Sequence, residues 1–299
     1  MIKAESITKS YGKNVALNGL SCEIPGGCVY GLVGSNGAGK STFLRLISGI
    51  YRPDGGEITV DGLPVYDNPE VKNRIAFVPD ELYFLPRSTI RRTADLYAAS
   101  YGGFSKERCR TLCETFGLDM QAQISTFSKG MKRQAAIILA LATMPDFIFF
   151  DESFDGLDPV MRNLVKKAIY ADVAERGTTA VIASHSLREL EDTCDQLALL
   201  HKGGIIFESD IQNLKTSLFK VQTAFSEDYD SSVFGDVQVL SFTKKGSVST
   251  AIIRGDREKV QTTLKTRQPL LLDVLPLTLE EVFIYEMEAL GYAFNDVLM

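Results

Sequence analysis

The chain has 299 residues, 45% hydrophobic and 23% charged, a length that suggests two domains. Its longest uninterrupted apolar run, residues 135–142, falls well short of the about 18 residues a membrane span needs; residues 1–13 mix polar and single apolar residues, so neither a span nor a secretory signal is expected. The net charge of −6 divides evenly between residues 1–210 and 211–299, which leaves no basic domain or tail for phosphate contacts with nucleic acid.

Taken in chain order, compact apolar runs at 29–33, 75–78, 147–150 and 179–183 predict strands buried on both faces. They alternate with helical patterns, the clearest at 131–143 and 187–195, as in a largely parallel sheet covered by helices. Residues 58–62, after Gly55-Gly56, read as an antiparallel strand. Residues 86–125 turn helical with no convincing strand, which predicts a helical insertion. The character changes near Asp210. Strands are expected at 219–225, 237–242, 247–254 and 270–275, with a helix at 257–266. Thr278 and Glu281 form a capping box before the apolar spacing Val282, Phe283, Tyr285, Met287 and Leu290. The five cysteines form no Cys-x-x-Cys pair and read as reduced thiols.

The chemistry concentrates in two motifs. Gly34-Ser35-Asn36-Gly37-Ala38-Gly39-Lys40-Ser41 follows a predicted strand and opens a helix, the context expected of a phosphate-binding loop. Its glycines let successive backbone N–H groups curl around an anion, and the helix N-terminus adds positive potential. Lys40 is expected on the β- and γ-phosphates, Ser41 on Mg²⁺, and Thr42 beside them. The second motif is the strand ending Phe149-Phe150-Asp151-Glu152. Asp151 is placed to bind the metal, and Glu152 to orient and deprotonate water.

Together these segments resemble the ATP-binding subunits of ABC transporters over residues 1–210. Ser128-Lys129-Gly130-Met131 resembles the ABC signature, Phe154-Asp155-Gly156-Leu157-Asp158-Pro159 the D-loop, His185 the switch histidine, and Tyr11 the aromatic that stacks on adenine. His201 has no such context and reads as structural. Two positions depart from the family pattern. Asp80 stands where Gln is usual and is a further candidate Mg²⁺ ligand, and Lys129 stands where Gly is usual.

The resemblance implies an α/β P-loop NTPase with a RecA-like core, an antiparallel β subdomain and a helical subdomain at about 86–145. A small C-terminal α/β accessory domain is expected over 211–299. It implies Glu152, His185 and Lys40 as catalytic residues. Tyr11, Gly34, Asn36, Gly37, Gly39, Lys40, Ser41, Thr42, Ser128, Gly130 and Asp158 are implied at ATP, and Ser41, Asp151 and Asp80 at Mg²⁺. Its implied partners are a second ATP-binding subunit, identical or a close paralogue, and a separate membrane permease on whose cytoplasmic side the chain would sit. Leu279-Glu280-Glu281-Val282-Phe283-Ile284 resembles the ending of the bacterial drug and peptide exporter branch. Two alternatives remain open: a slow or regulatory cassette, suggested by Asp80, and a soluble cassette acting on ribosomes or DNA.

Overall fold

A computed structural model describes residues 1–289 and 291 and divides the chain into two compact units, residues 1–208 and 209 onward. The first opens with β1 (Ile2–Tyr11), β2 (Asn14–Ile24), β3 (Val29–Val33), α1 (Lys40–Ile47), β4 (Gly55–Val60), β5 (Leu63–Pro64) and the short α2 (Pro69–Lys72). Strands β2, β1, β4 and β5 pair in that order as an antiparallel sheet. Bulges interrupt the register of β1, and Ser6 takes a left-handed φ of 51°. A bulge breaks the two-residue alternation of a strand, which is why this segment gives no clean signal in sequence. The strand expected at 58–62 lies instead at Gly55–Val60, because Asp61 and Gly62, both with positive φ, form the tight turn into β5.

The chain continues through β6 (Ile75–Val78), α3 (Ile90–Ser100), α4 (Lys106–Phe116), α5 (Lys129–Ala142), β7 (Phe147–Asp151), α6 (Pro159–Arg176), β8 (Thr179–Ser184), α7 (Leu187–Glu191), β9 (Gln196–His201) and β10 (Gly204–Asp210). A six-stranded sheet runs in the order β10-β9-β3-β8-β7-β6, and the pairings from β9 to β6 are parallel. Strands β3, β7 and β8 are buried at every residue, as their apolar runs predict. The insertion between β6 and β7 is helical as expected. The helix expected at 187–195 stops at Glu191 and gives way to a turn, in which the Cys194 amide still donates to the Leu190 carbonyl.

Helix α1 lies in a single core with the inner faces of both sheets: Phe43 and Ile47 are buried with Ile7, Val60, Phe149 and Val181. The helices start where their caps dictate. Ser105 caps α4, Ser128 caps α5, and Asp158 followed by Pro159 caps α6. Among the described residues no helix is long and apolar enough to cross a membrane.

The second unit contains α8 (Ile211–Ser217), β11 (Leu218–Ala224), β12 (Gln238–Lys245), β13 (Val248–Arg254), α9 (Arg257–Lys265), β14 (Leu271–Pro276) and α10 (Leu279–Ala289). Its antiparallel sheet runs β12-β13-β11-β14, and Phe219, Val221, Phe234, Ile253, Val260 and Leu264 build its core. The capping box closes reciprocally: the Glu281 amide donates to Thr278 Oγ1 at 3.2 Å, and the Thr278 amide donates to Glu281 Oε2 at 2.9 Å. Leu290, the last residue of the expected apolar spacing, lies outside the described residues.

Candidate active site

Parallel strands bring their carboxyl ends to one edge, where ligands of open α/β sheets bind. Here the register does so closely. Val33 pairs with Ser184 and Asp151 with Ala183, so the loop at Gly34, Glu152 and His185 leave the sheet at the same level.

The Gly34–Ser41 loop connects β3 to α1. A Cβ added at Gly34 would stand 2.3 Å from the Leu200 carbonyl oxygen, so only glycine lets the loop pass β9. Asn36 and Gly37 are exposed at the loop's outer turn, Gly39 caps α1, and Thr42 is half-buried in its first turn. Lys40 is buried. Its Nζ donates to the Gly34 carbonyl at 2.7 Å and to the Ser35 carbonyl at 3.3 Å, and lies 3.2 Å from Glu152 Oε1.

Asp151 is fully buried at the end of β7, and Ser41 Oγ donates to its Oδ1 at 2.9 Å. Burial pushes the Asp151 carboxyl above its ordinary value, with Glu152 and Asp80 adding in the same direction, while the Ser41 hydrogen bond and Arg45 oppose it. Glu152 follows with a left-handed φ of 46°, a conformation that costs a non-glycine residue of order 1–3 kcal/mol and clusters at functional sites. Its amide donates to the Ala183 carbonyl at 3.0 Å, which holds the turn. The turn aims its carboxylate between Lys40 and His185, whose Nδ1 stands 2.9 Å from Glu152 Oε2. Asp155 brings a third side chain of the metal-ligating type, with one nitrogen or oxygen atom each of Glu152, Asp155 and His185 within 4.8 Å of one another. Behind them Ser184 Oγ donates to Glu189 Oε2 at 2.9 Å and receives the Ser186 amide at 3.0 Å, fixing the backbone that carries His185.

The remaining sequence candidates stand apart from this cluster. Tyr11, at the end of β1, is half-exposed and meets Tyr51 edge-on at 6.1 Å. Ser128 is exposed and accepts the Met131 amide at 3.2 Å as the cap of α5; no hydrogen bond joins it to the Gly34–Ser41 loop among the described residues. Gly130 packs against the Gly156 carbonyl, and exposed Lys129 runs alongside Gly156. Asp158 caps α6, accepting the Val160 and Met161 amides, both at 3.0 Å. The Asp80 carboxylate lies on Arg133, not in the Ser41–Asp151 pair: Arg133 Nη2 donates to its Oδ1 at 3.0 Å.

Two residues that join the elements were not legible in sequence. Ser153, fully buried, has its Oγ 3.1 Å from both the Val78 and Asp151 carbonyls, tying the ends of β6 and β7 together. Arg133 ties α5 to the segment after β6. Its only signal was a basic residue close before the wholly apolar run 135–142 of the same helix.

The sequence pattern of the ABC transporter family matches residues 17–155. The ABC transporter ATP-binding protein YtrB of Bacillus subtilis is 31% identical over 284 residues, 95% of this chain and 97% of its own. The chain belongs to the family of ABC transporter ATP-binding proteins. A second relative in this family, the Nod factor export ATP-binding protein I of Mesorhizobium japonicum, is 33% identical over 93% of this chain and 84% of its own. A solved structure of an ATP-binding subunit of an ABC transporter superposes with a TM-score of 0.67 at 26% identity, covering 72% of this chain and 92% of its own. As an ABC ATP-binding protein the chain is an ATPase, and ATP is its nucleotide.

Proposed function

We propose that the ABC cassette binds ATP with Mg²⁺ in the Gly34–Ser41 crevice, closes head to tail on a second ATP-binding subunit, and powers a separate membrane permease that exports its cargo. The observation that carries the reading is the cluster in which Glu152 is held between buried Lys40 and exposed His185 at the edge where Ser41 meets Asp151.

Each group has a task that its position supports. Lys40, with the loop amides, binds the β- and γ-phosphate oxygens, and Tyr11 stacks on adenine. Ser41 and Asp151 suit Mg²⁺: both offer oxygen, the ligand type that hard cation takes, and buried Asp151 Oδ2 has no hydrogen-bond partner. Bound there, Mg²⁺ supplies neutralisation of charge on the transferring phosphoryl group. Glu152 takes a proton from the attacking water on its carboxylate. His185 holds Glu152 and contacts the γ-phosphate. Ser128, exposed as the cap of α5 and not hydrogen-bonded to the Gly34–Ser41 loop among the described residues, and half-buried Gly130 beside it are available to a nucleotide held by the partner subunit, identical or a close paralogue. Asp158 supports the same face through its cap on α6.

Export is supported by the Nod factor export relative and by the Leu279–Ile284 ending; a location at the cytoplasmic face of the membrane follows from the permease. The acidic balance, with net charge −6, argues against nucleic acid as a partner. The test is purification of the full chain from detergent-solubilised native membranes. A polytopic membrane protein is expected to come with it, and ATP turnover to change when the two are reconstituted. Recovery on ribosomes, or alone at full activity, would sink the transport reading.

A narrower expectation concerns Tyr11. Stacking of a base on an aromatic ring is worth about 1–3 kcal/mol, so Tyr11→Ala is expected to raise the KM for ATP by about 5- to 150-fold with kcat little changed. Steady-state phosphate release against ATP concentration measures both.

A further inference from the structure

The segment leaving β6 is bound to α5 by one buried cation. Arg133, whose side chain is 2% exposed, donates through Nη1 to the Pro79 and Asp80 carbonyls, both at 2.8 Å, and through Nη2 to the Asp80 carboxylate at 3.0 Å. Among the described residues its buried Nε has no hydrogen-bond partner, and its Nη hydrogen bonds end on these two residues. Burying a guanidinium is costly, and it persists only where acceptors and an opposite charge compensate it. Asp80 is that charge. From there a hydrogen-bonded path continues inward: Ser153 Oγ meets the carbonyls of Val78 and Asp151, and Ser41 meets the Asp151 carboxylate. Helix α5, which Ser128 caps, is thereby joined to the residues proposed to hold phosphate and metal.

We propose that Arg133 is a positioning residue for ATP hydrolysis: by engaging Asp80 it fixes the start of α5 against the end of β6 and keeps the Asp80 charge off the nucleotide. The pair makes an acidic residue tolerable where a carboxylate would otherwise repel the γ-phosphate. This rests on the hydrolytic reading of the site above.

The experiment uses the full chain and the variants Arg133→Met, Arg133→Lys, Asp80→Asn and the double variant Arg133→Met with Asp80→Asn. It reads kcat, the KM for ATP, the Mg²⁺ concentration at half-maximal rate, and amide exchange without nucleotide. Arg133→Met frees the Asp80 charge and is expected to raise the KM for ATP and lower kcat, each about tenfold. Adding Asp80→Asn is expected to restore the KM, a non-additivity that residues in contact show and distant ones do not. Arg133→Lys is expected to retain more of kcat than Arg133→Met. The Met131 and Lys132 amides, which donate to Ser128 at the start of α5, are expected to exchange faster in Arg133→Met, while those of β3 keep their protection. Additive effects with unchanged exchange would overturn the proposal. So would a large rise in the Mg²⁺ requirement of Asp80→Asn alone, which would make Asp80 a metal ligand. If Arg133→Met does not fold, Arg133→Lys and Asp80→Asn still decide between these outcomes. A parent chain without ATP turnover would instead sink the hydrolytic reading itself.

Discussion

Glu152→Gln is expected to lower ATP turnover by about two to four orders of magnitude, the usual worth of a positioned general base. The amide keeps the shape and the acceptor that faces His185 Nδ1, so the left-handed turn after β7 has no new strain to absorb. What it removes is the proposed proton acceptor and one negative charge 3.2 Å from Lys40 Nζ. With that charge gone, Lys40 keeps only the Gly34 and Ser35 carbonyls as partners and is easier to recruit to phosphate. ATP binding is therefore expected to be at least as tight as in the parent, and the ATP-dependent dimer to persist. Single-turnover phosphate release, nucleotide binding and size-exclusion chromatography with ATP check the three statements. Turnover at the parent rate would mean that another group takes the proton.

Lys40→Met should fail in the opposite way, through binding. A hydrogen bond to a charged group contributes about 1.5–3 kcal/mol, and Lys40 offers several to the phosphates from a buried position. ATP affinity is expected to drop by about 10–100-fold or more, and turnover at low ATP with it. The same substitution has a second, nucleotide-free signature. The Glu152 carboxylate loses its cation and keeps His185 alone, so the variant is expected to melt below the parent even without ATP. Calorimetry of nucleotide-free protein separates this loss from the binding defect. In Glu152→Gln the buried ammonium retains two carbonyl partners, and a smaller change in melting is expected.

The contrast between these residues shows how far a linear reading reaches. Lys40, Ser41, Asp151 and Glu152 were legible because each sits at a fixed offset from a strand that announces itself as an unbroken apolar run: Val29–Val33 before the loop, and the Phe147–Asp151 strand before the carboxylates. Strands β1 and β2 were missed for the converse reason. The bulges in β1 shift the register, and both strands expose one face, so neither period two nor a continuous apolar run survives. The limits of β4 and α7 were misjudged where a turn at Asp61-Gly62 and another after Glu191 end the element in the middle of an apparently continuous pattern.

Asp80 shows the other limit. In sequence it is an acidic residue at a place where a neutral amide is usual, next to a site that must hold a triphosphate. Asp80 lies in the segment after β6, its partner is 53 residues away on α5, and no local pattern pairs them. Ser153 is the same case, because the carbonyl it meets on β6 is 75 residues distant.

The sequence by itself therefore determined which segments are buried strands, where the glycine-rich loop Gly34–Ser41 and the two carboxylates after β7 lie, and that no apolar run is long enough for a helical membrane span. These follow from local rules: hydrophobic periodicity, glycine's steric freedom, and residue order within a motif. Only the tertiary structure decided which side chains meet. Sheet order departs from chain order, placing β3 beside β8 and β9 and β7 between β6 and β8, so Lys40, Glu152 and His185 converge from three separate strands. Such convergence depends on the order and register of the sheet, which are properties of the whole fold and not of any one segment.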